Sequence, residues 1–229
     1  MSRGVFLTFE GSEGCGKSTQ VKRLAARLAR KGLPFLVTRE PGGTAIGEKI
    51  RELLQFAPES AAMRAETELL LFEASRSQLV REMIEPTLTQ GTHVIADRFF
   101  DSTTVYQGAA RALDPKIVEQ LNAFAIGNCR PDLTIILELD VAAARGRMLR
   151  RVRPVGTPDR MEQEPLEFYE RVSAAYRELP AREGDRVQLI DGSRSADQVE
   201  AEIWRILWER FGANFQPRQP RIENPKSKI

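Results

Sequence analysis

Short apolar or β-branched runs alternate along the chain with longer stretches of helical period. The runs fall at residues 5 to 9, 35 to 38, 93 to 96, 133 to 139 and 187 to 190. That alternation predicts βαβ units on a parallel sheet. After the first run, Val21, Leu24, Ala25 and Leu28 repeat at i, i+3, i+4 and i+7, and Gly32 sits where a C-terminal cap is expected. A helix is therefore predicted over residues 17 to 31, with others near 44 to 56, 62 to 84, 115 to 126, 140 to 150, 164 to 178 and 196 to 211. Pro41-Gly42-Gly43, Arg130-Pro131-Asp132 and the Pro154-to-Pro158 stretch mark loops. No internal repeat interrupts this order. The last segment, residues 212 to 229, has three Pro, little apolar content and no periodicity, which predicts a flexible tail behind one folded domain of residues 1 to 211.

Composition narrows the class. With 229 residues, 41% hydrophobic and 29% charged, one α/β domain can bury a full core without disulfides or a structural metal. No apolar run approaches the ~20 residues of a bilayer span, and Met1 is not followed by a signal-peptide pattern. A cytoplasmic protein with no membrane partner is the expectation. Two Cys and a single His supply neither a zinc site nor a disulfide framework, so metal chemistry must use hard oxygen ligands. The tail holds Arg218, Arg221, Lys226 and Lys228 against Glu223, a net +3 that exceeds the whole chain's +2 and leaves the body nearly neutral. The one dense basic cluster there is Arg145, Arg147, Arg150, Arg151, Arg153 and Arg160. That is a local feature rather than a stripe, and no nucleic acid is expected to bind the folded part.

Candidate chemistry begins at Gly11-Ser12-Glu13-Gly14-Cys15-Gly16-Lys17-Ser18, which matches G-x-x-x-x-G-K-[ST] between a predicted strand and a predicted helix. Glycines let successive backbone N–H groups turn toward a phosphate, the helix N-terminus adds about half a positive charge, and Lys17 reaches the β and γ phosphates. Ser18 is placed to put its hydroxyl on Mg²⁺. The third strand ends in Asp97, the position for a carboxylate on the metal side, and Arg98 follows at the same sheet edge, where ligands of open α/β sheets collect. No Asn is followed by Lys, so the guanine signature of a GTPase is missing. The arginine-rich stretch around Pro154, Gly156 and Pro158 reads as a lid, about residues 141 to 160, closing over donor phosphates.

Taken together, Phe9 to Thr19, Thr38-Arg39-Glu40-Pro41-Gly42-Gly43-Thr44, Leu71-Phe72-Glu73-Ala74-Ser75-Arg76, Asp97-Arg98-Phe99 with Ser102-Thr103 and Tyr106-Gln107-Gly108, Arg130-Pro131-Asp132 and Asp159-Arg160-Met161-Glu162 resemble bacterial thymidylate kinases over roughly residues 5 to 211. The resemblance implies a P-loop kinase fold, a five-stranded parallel sheet flanked by helices, with an arginine-rich lid. It also implies a homodimer, ATP and dTMP as substrates, Mg²⁺ as cofactor, and transfer of the γ-phosphoryl group to give dTDP and ADP. Gly11 through Thr19 (Gly11, Ser12, Glu13, Gly14, Cys15, Gly16, Lys17, Ser18, Thr19) correspond to the ATP-binding loop, with Ser18 and Asp97 toward the metal.

By the same resemblance, Phe72 stacks on thymine, Arg76 donates to a base carbonyl, Thr103 hydrogen-bonds the pyrimidine beside Gln107, and Tyr106 fills the space of a ribose 2′-hydroxyl. Arg98 and Arg39 bind the acceptor phosphate, and Glu13 lies near the deoxyribose 3′-hydroxyl. Phe72 and Arg76 are four apart on a predicted helix and so share a face. The phosphate loop carries no Arg, which matches the family type with a basic lid; Lys17, Asp97 and Arg98, with Arg151 and Arg153 at the lid's turn, form the catalytic set. Phe99 stands where a Tyr or His is frequent. Two other readings stay open: a kinase for another nucleoside monophosphate, and a nucleotide-binding regulatory protein without turnover.

Overall fold

A computed structural model describes residues 3 to 150 and 160 to 215. All five predicted strands are present: β1 (Phe6–Glu10), β2 (Phe35–Arg39), β3 (His93–Asp97), β4 (Leu133–Glu138) and β5 (Val187–Asp191). They form one parallel sheet in the order β2-β3-β1-β4-β5. β1 is buried at every position, as a central strand covered on both faces must be. Helices α1 (Lys17–Arg30), α2 (Ala45–Gln55), α3 (Ala65–Leu79), α4 (Glu85–Thr89), α5 (Phe100–Thr103), α6 (Pro115–Ile126), α7 (Val141–Leu149), α8 (Leu166–Glu183) and α9 (Ala196–Phe211) surround it. No described helix is long and apolar enough to cross a membrane.

Local chemistry sets most helix starts. Thr44 caps α2 by accepting the Gly47 N–H at 3.0 Å, Asp140 caps α7 through Ala143 at 3.0 Å, and Ser195 with Gln198 forms a reciprocal capping box on α9. On α1 the buried face includes Val21, Leu24 and Leu28, as the periodicity predicts.

Three features differ from what the sequence pattern predicts. Helix α3 continues through a π turn at Val80–Ile84 into α4, so helical structure runs past residue 84 despite Pro86; the wider π turn, in which the Glu85 N–H reaches back to the Val80 carbonyl, immediately precedes the proline and breaks the regular α ladder there. A helical segment absent from the pattern runs from α5 into a π-helical stretch at Thr104–Ala110. Its Thr103-Thr104-Val105 run has poor helix propensity, but Thr103, Val105, Tyr106 and Gln107 are all buried there, and tertiary packing decides. Finally, the ordered body extends beyond Phe211: Phe215 is 1% exposed and packs edge-on to His93 with ring centroids 5.0 Å apart, beside Trp204 and Phe211. The boundary drawn at residue 211 is corrected to at least Phe215, because an aromatic side chain in the core outweighs the local lack of periodicity. The rest of the tail, residues 216 to 229, lies outside the described residues.

Candidate active site

Parallel register brings the predicted site residues to one edge. Phe9 is paired with Asp97 and Arg39 with Asp97, so the ends of β2, β3 and β1 stand side by side. The phosphate loop follows β1. Gly11, Gly14 and Gly16 adopt φ of 127°, 80° and 108°, and a Cβ on Gly14 would stand 2.3 Å from the Ala144 carbonyl oxygen. Backbone there is both left-handed and closely approached, which only glycine allows. Lys17 is buried and donates from Nζ to the carbonyl oxygens of Gly11 and Ser12, both at 2.9 Å. Cys15 is buried with its sulfur 3.7 Å from Lys17 Nζ and fills core space under the loop. Ser18 and Thr19 open the helix on its exposed side, and Ser18 Oγ donates to Asp97 Oδ2 at 2.7 Å.

A cleft of about 230 Å³ is lined by Gly14, Gly16, Lys17 and Ser18 of the loop and by Arg39, Phe72, Asp97, Arg98, Thr103, Tyr106 and Gln107. Thus one cleft gathers Glu13 and most of the other predicted residues, while Gly11, Ser12, Cys15, Thr19 and Arg76 do not line it. Glu13, an odd charge beside phosphates in the sequence, is explained by its partners: Arg98 Nη2 donates to it at 2.7 Å and Tyr106 Oη at 2.8 Å. Burial works against the charge of Arg98, but Tyr106, Glu13, Tyr176 and Glu10 outweigh it and hold the guanidinium's pKa up. Burial, with Glu13 adding to it, pushes Tyr106 up as well, so its hydroxyl stays a neutral donor. Arg39 forms a two-pronged pair with Glu48 at 2.8 Å. Gln107 donates to Glu68 at 2.6 Å.

Arg76 is placed differently from the expectation. It is 1% exposed and absent from the cleft lining. Its Nε and Nη2 donate to Glu40, at 2.9 and 2.6 Å. Nη1 donates to Glu73 at 2.6 Å and Asn122 at 3.2 Å, and Nη2 also donates to Thr103 at 3.0 Å. All five N–H groups are engaged, and in this arrangement Arg76 stands directly behind the cleft and holds Thr103, which lines it. Burial pushes the Glu40 carboxyl up to about 7 against the pull of Arg76.

Arg160, read as part of the lid cluster, is committed elsewhere. It pairs with the buried Glu68 and donates from Nε to the Leu54 carbonyl at 3.2 Å. Phe99 is a core residue, edge-on to Phe6 at 4.9 Å. Arg151 and Arg153 lie outside the described residues.

Sequence reasoning gave no role to Glu40, Arg51, Gln55 and Ser102 in the cleft, or to Glu10 and Tyr176 behind it. Glu10, Glu40 and Ser102 carried a visible signal, since each stands inside a quoted motif; Arg51, Gln55 and Tyr176 carried none. A second cavity of about 420 Å³ opens on the other side of the phosphate loop, lined by Gly16, Thr19, Arg147 and residues 192 to 196, where Arg147 Nη1 donates to the Gly192 carbonyl at 3.1 Å.

The sequence profile of the thymidylate kinase family matches residues 9 to 203. The chain belongs to the thymidylate kinase family. It is 43% identical over 210 residues to a thymidylate kinase of Deinococcus radiodurans, covering 92% of this chain and 99% of that one. A thymidylate kinase of Afipia carboxidovorans is 43% identical over 216 residues, 94% of each chain. The crystal structure of thymidylate kinase from Ehrlichia chaffeensis superposes with a TM-score of 0.70 at 31% identity, over 90% of this chain and 99% of that one. Thymidylate kinase kinship, a five-stranded parallel sheet and the phosphate loop agree on one architecture.

Proposed function

We infer that the chain transfers the γ-phosphoryl group of ATP to the phosphate of dTMP, giving ADP and dTDP. The observation that carries this reading is a single cleft lined by the phosphate loop and by Phe72, Thr103 and Tyr106, with Arg98 donating from Nη2 to both Glu13 and Tyr106. ATP lies with its phosphates on residues 11 to 19 and its base in the second cavity beside Arg147. The dTMP phosphate lies on Arg98 and Arg39, its base against Phe72, with Gln107 alongside. Thr103 accepts from Arg76, which leaves its O–H to donate to a pyrimidine carbonyl. Tyr106 occupies the room of a 2′-hydroxyl, and Glu13 reaches the 3′-hydroxyl.

Chemically, little is asked of any side chain as acid or base, because the attacking oxygen of a nucleoside monophosphate is already ionised. What the site must do is hold two anions in line and offset the charge on the transferring group. Each terminal phosphate carries roughly −1.5 to −2 charge; Lys17, Arg98 and the lid's Arg151 and Arg153 oppose it. The donor set at Ser18 and Asp97, two hard oxygens linked at 2.7 Å beside the loop, fits Mg²⁺. Those two residues would hold the ion, directly or through its waters, and the ion would neutralise charge on the phosphates.

A homodimer fits the outward side chains of α3 and α6, where Leu70, Ile117 and Phe124 are 55%, 52% and 80% exposed; light scattering at micromolar protein tests it. The activity itself is tested by an ATP-coupled assay over a panel of monophosphates. We expect dTMP first, dUMP weaker, and AMP, GMP and CMP poor; a preferred purine refutes the assignment.

A further inference from the structure

Glu10 ends the central strand and is fully buried at 0% exposure, although nothing in phosphoryl transfer calls for a carboxylate there. Its Oε1 accepts the backbone N–H groups of Phe99, at 2.8 Å, and Ser102, at 3.2 Å. Its Oε2 accepts the Ser102 hydroxyl at 2.6 Å and the Tyr176 hydroxyl at 2.8 Å. Between β1 and this cluster sits Arg98, whose φ of 72° is left-handed and rare for a residue with a side chain. The Arg98 N–H donates to the Phe9 carbonyl at 2.9 Å, and the next N–H is the one held by Glu10. Both peptide groups flanking the strained residue are thereby tied to the end of β1.

The side chain is tied by the same carboxylate. Arg98 Nη1 donates to Ser102 Oγ at 3.0 Å and to Tyr176 Oη at 3.4 Å. A hydroxyl has one hydrogen. Because Ser102 and Tyr176 each give theirs to Glu10, by bonds shorter than the 3.2 Å between the two hydroxyls, both turn only lone pairs toward the guanidinium.

We propose that Glu10 is a positioning residue for Arg98: it fastens the left-handed turn and orients the Ser102 and Tyr176 hydroxyls so that both accept from the arginine. This rests on the reading of Arg98 as ligand of the dTMP phosphate. The test is Glu10→Gln, which keeps shape and the acceptor for both N–H groups but puts an NH₂ where Oε2 was. That NH₂ donates to the two hydroxyls and drives their hydrogens toward Arg98.

The expected result is a fall in kcat/KM for dTMP on the order of 10-fold or more, the scale of a hydrogen bond to a charged group, with KM for ATP within about twofold of the parent. In an Arg98→Ala background the same change should cost nothing further, since the residue it positions is gone; a purely structural role would cost the same in both backgrounds. Should Glu10→Gln fail to fold, the Ser102→Ala/Tyr176→Phe pair leaves both backbone bonds to Glu10 in place and should show the same split. Unchanged dTMP kinetics, an equal loss toward ATP, or full additivity with Arg98→Ala overturns the proposal. The parent enzyme, run alongside, separates that outcome from failure of the dTMP kinase reading, which would show as no dTMP turnover in the parent itself.

Discussion

Replacing Arg76 with Met is expected to damage the fold first and catalysis through it. The guanidinium is 1% exposed and pairs with Glu40 and Glu73, whose side chains are 3% and 7% exposed. Removing it strips Glu40 of the only donors to its carboxylate among the described residues. Breaking a buried pair on one side costs about 3–5 kcal/mol, which in a chain of this size lowers Tm by roughly 6–20 °C. Removing Glu40 as well, in Arg76→Met/Glu40→Gln, should recover part of the loss because one stranded charge is gone.

Acidity supplies a second readout. With its carboxyl pushed up to about 7 from 4.5 by burial, Glu40 binds a proton more tightly folded than unfolded, so its contribution to stability declines as pH rises through that window. In Arg76→Met the opposing cation is absent and the decline should steepen. Urea unfolding followed by circular dichroism at pH 5, 6, 7 and 8, with isothermal titration of ATP, measures both effects; ATP affinity should hold where the variant is folded. A stability loss below about 1 kcal/mol together with a selective loss of dTMP binding would refute this account and return Arg76 to the pocket as a direct ligand of the base.

Phe215→Ala, or truncation after Phe211, should cost about 3–5 kcal/mol, the range for emptying a core aromatic site, because Phe215 is 1% exposed; a thermal melt unchanged by truncation would show that the ring is dispensable. Ala at both Arg151 and Arg153 should depress kcat by on the order of 10³, the lower end of what a catalytic arginine supplies, with a smaller change in dTMP binding. Near-normal kcat would move that role to Arg147 or Arg150.

Strands, the phosphate loop and the carboxylate and arginine after β3 are all legible in the amino-acid sequence, because each is encoded within a few neighbouring residues: an apolar run, a glycine spacing, a charge at a strand end. The helices with clear 3.6-residue period are legible for the same reason. The helical segment carrying Thr103, Tyr106 and Gln107 is not, since its local preference opposes helix and burial against α8, α6 and α3 imposes it. Nor does the chain alone tell that Arg76 turns inward to Glu40, that Arg160 leaves the lid for Glu68, or that Phe215 docks beside His93. Those partners lie 36, 92 and 122 residues away in the sequence. A residue's type announces that it can pair, stack or donate; which partner it takes is decided by the sheet register that brings distant segments within a few ångströms, and by the cost of leaving a buried charge without one.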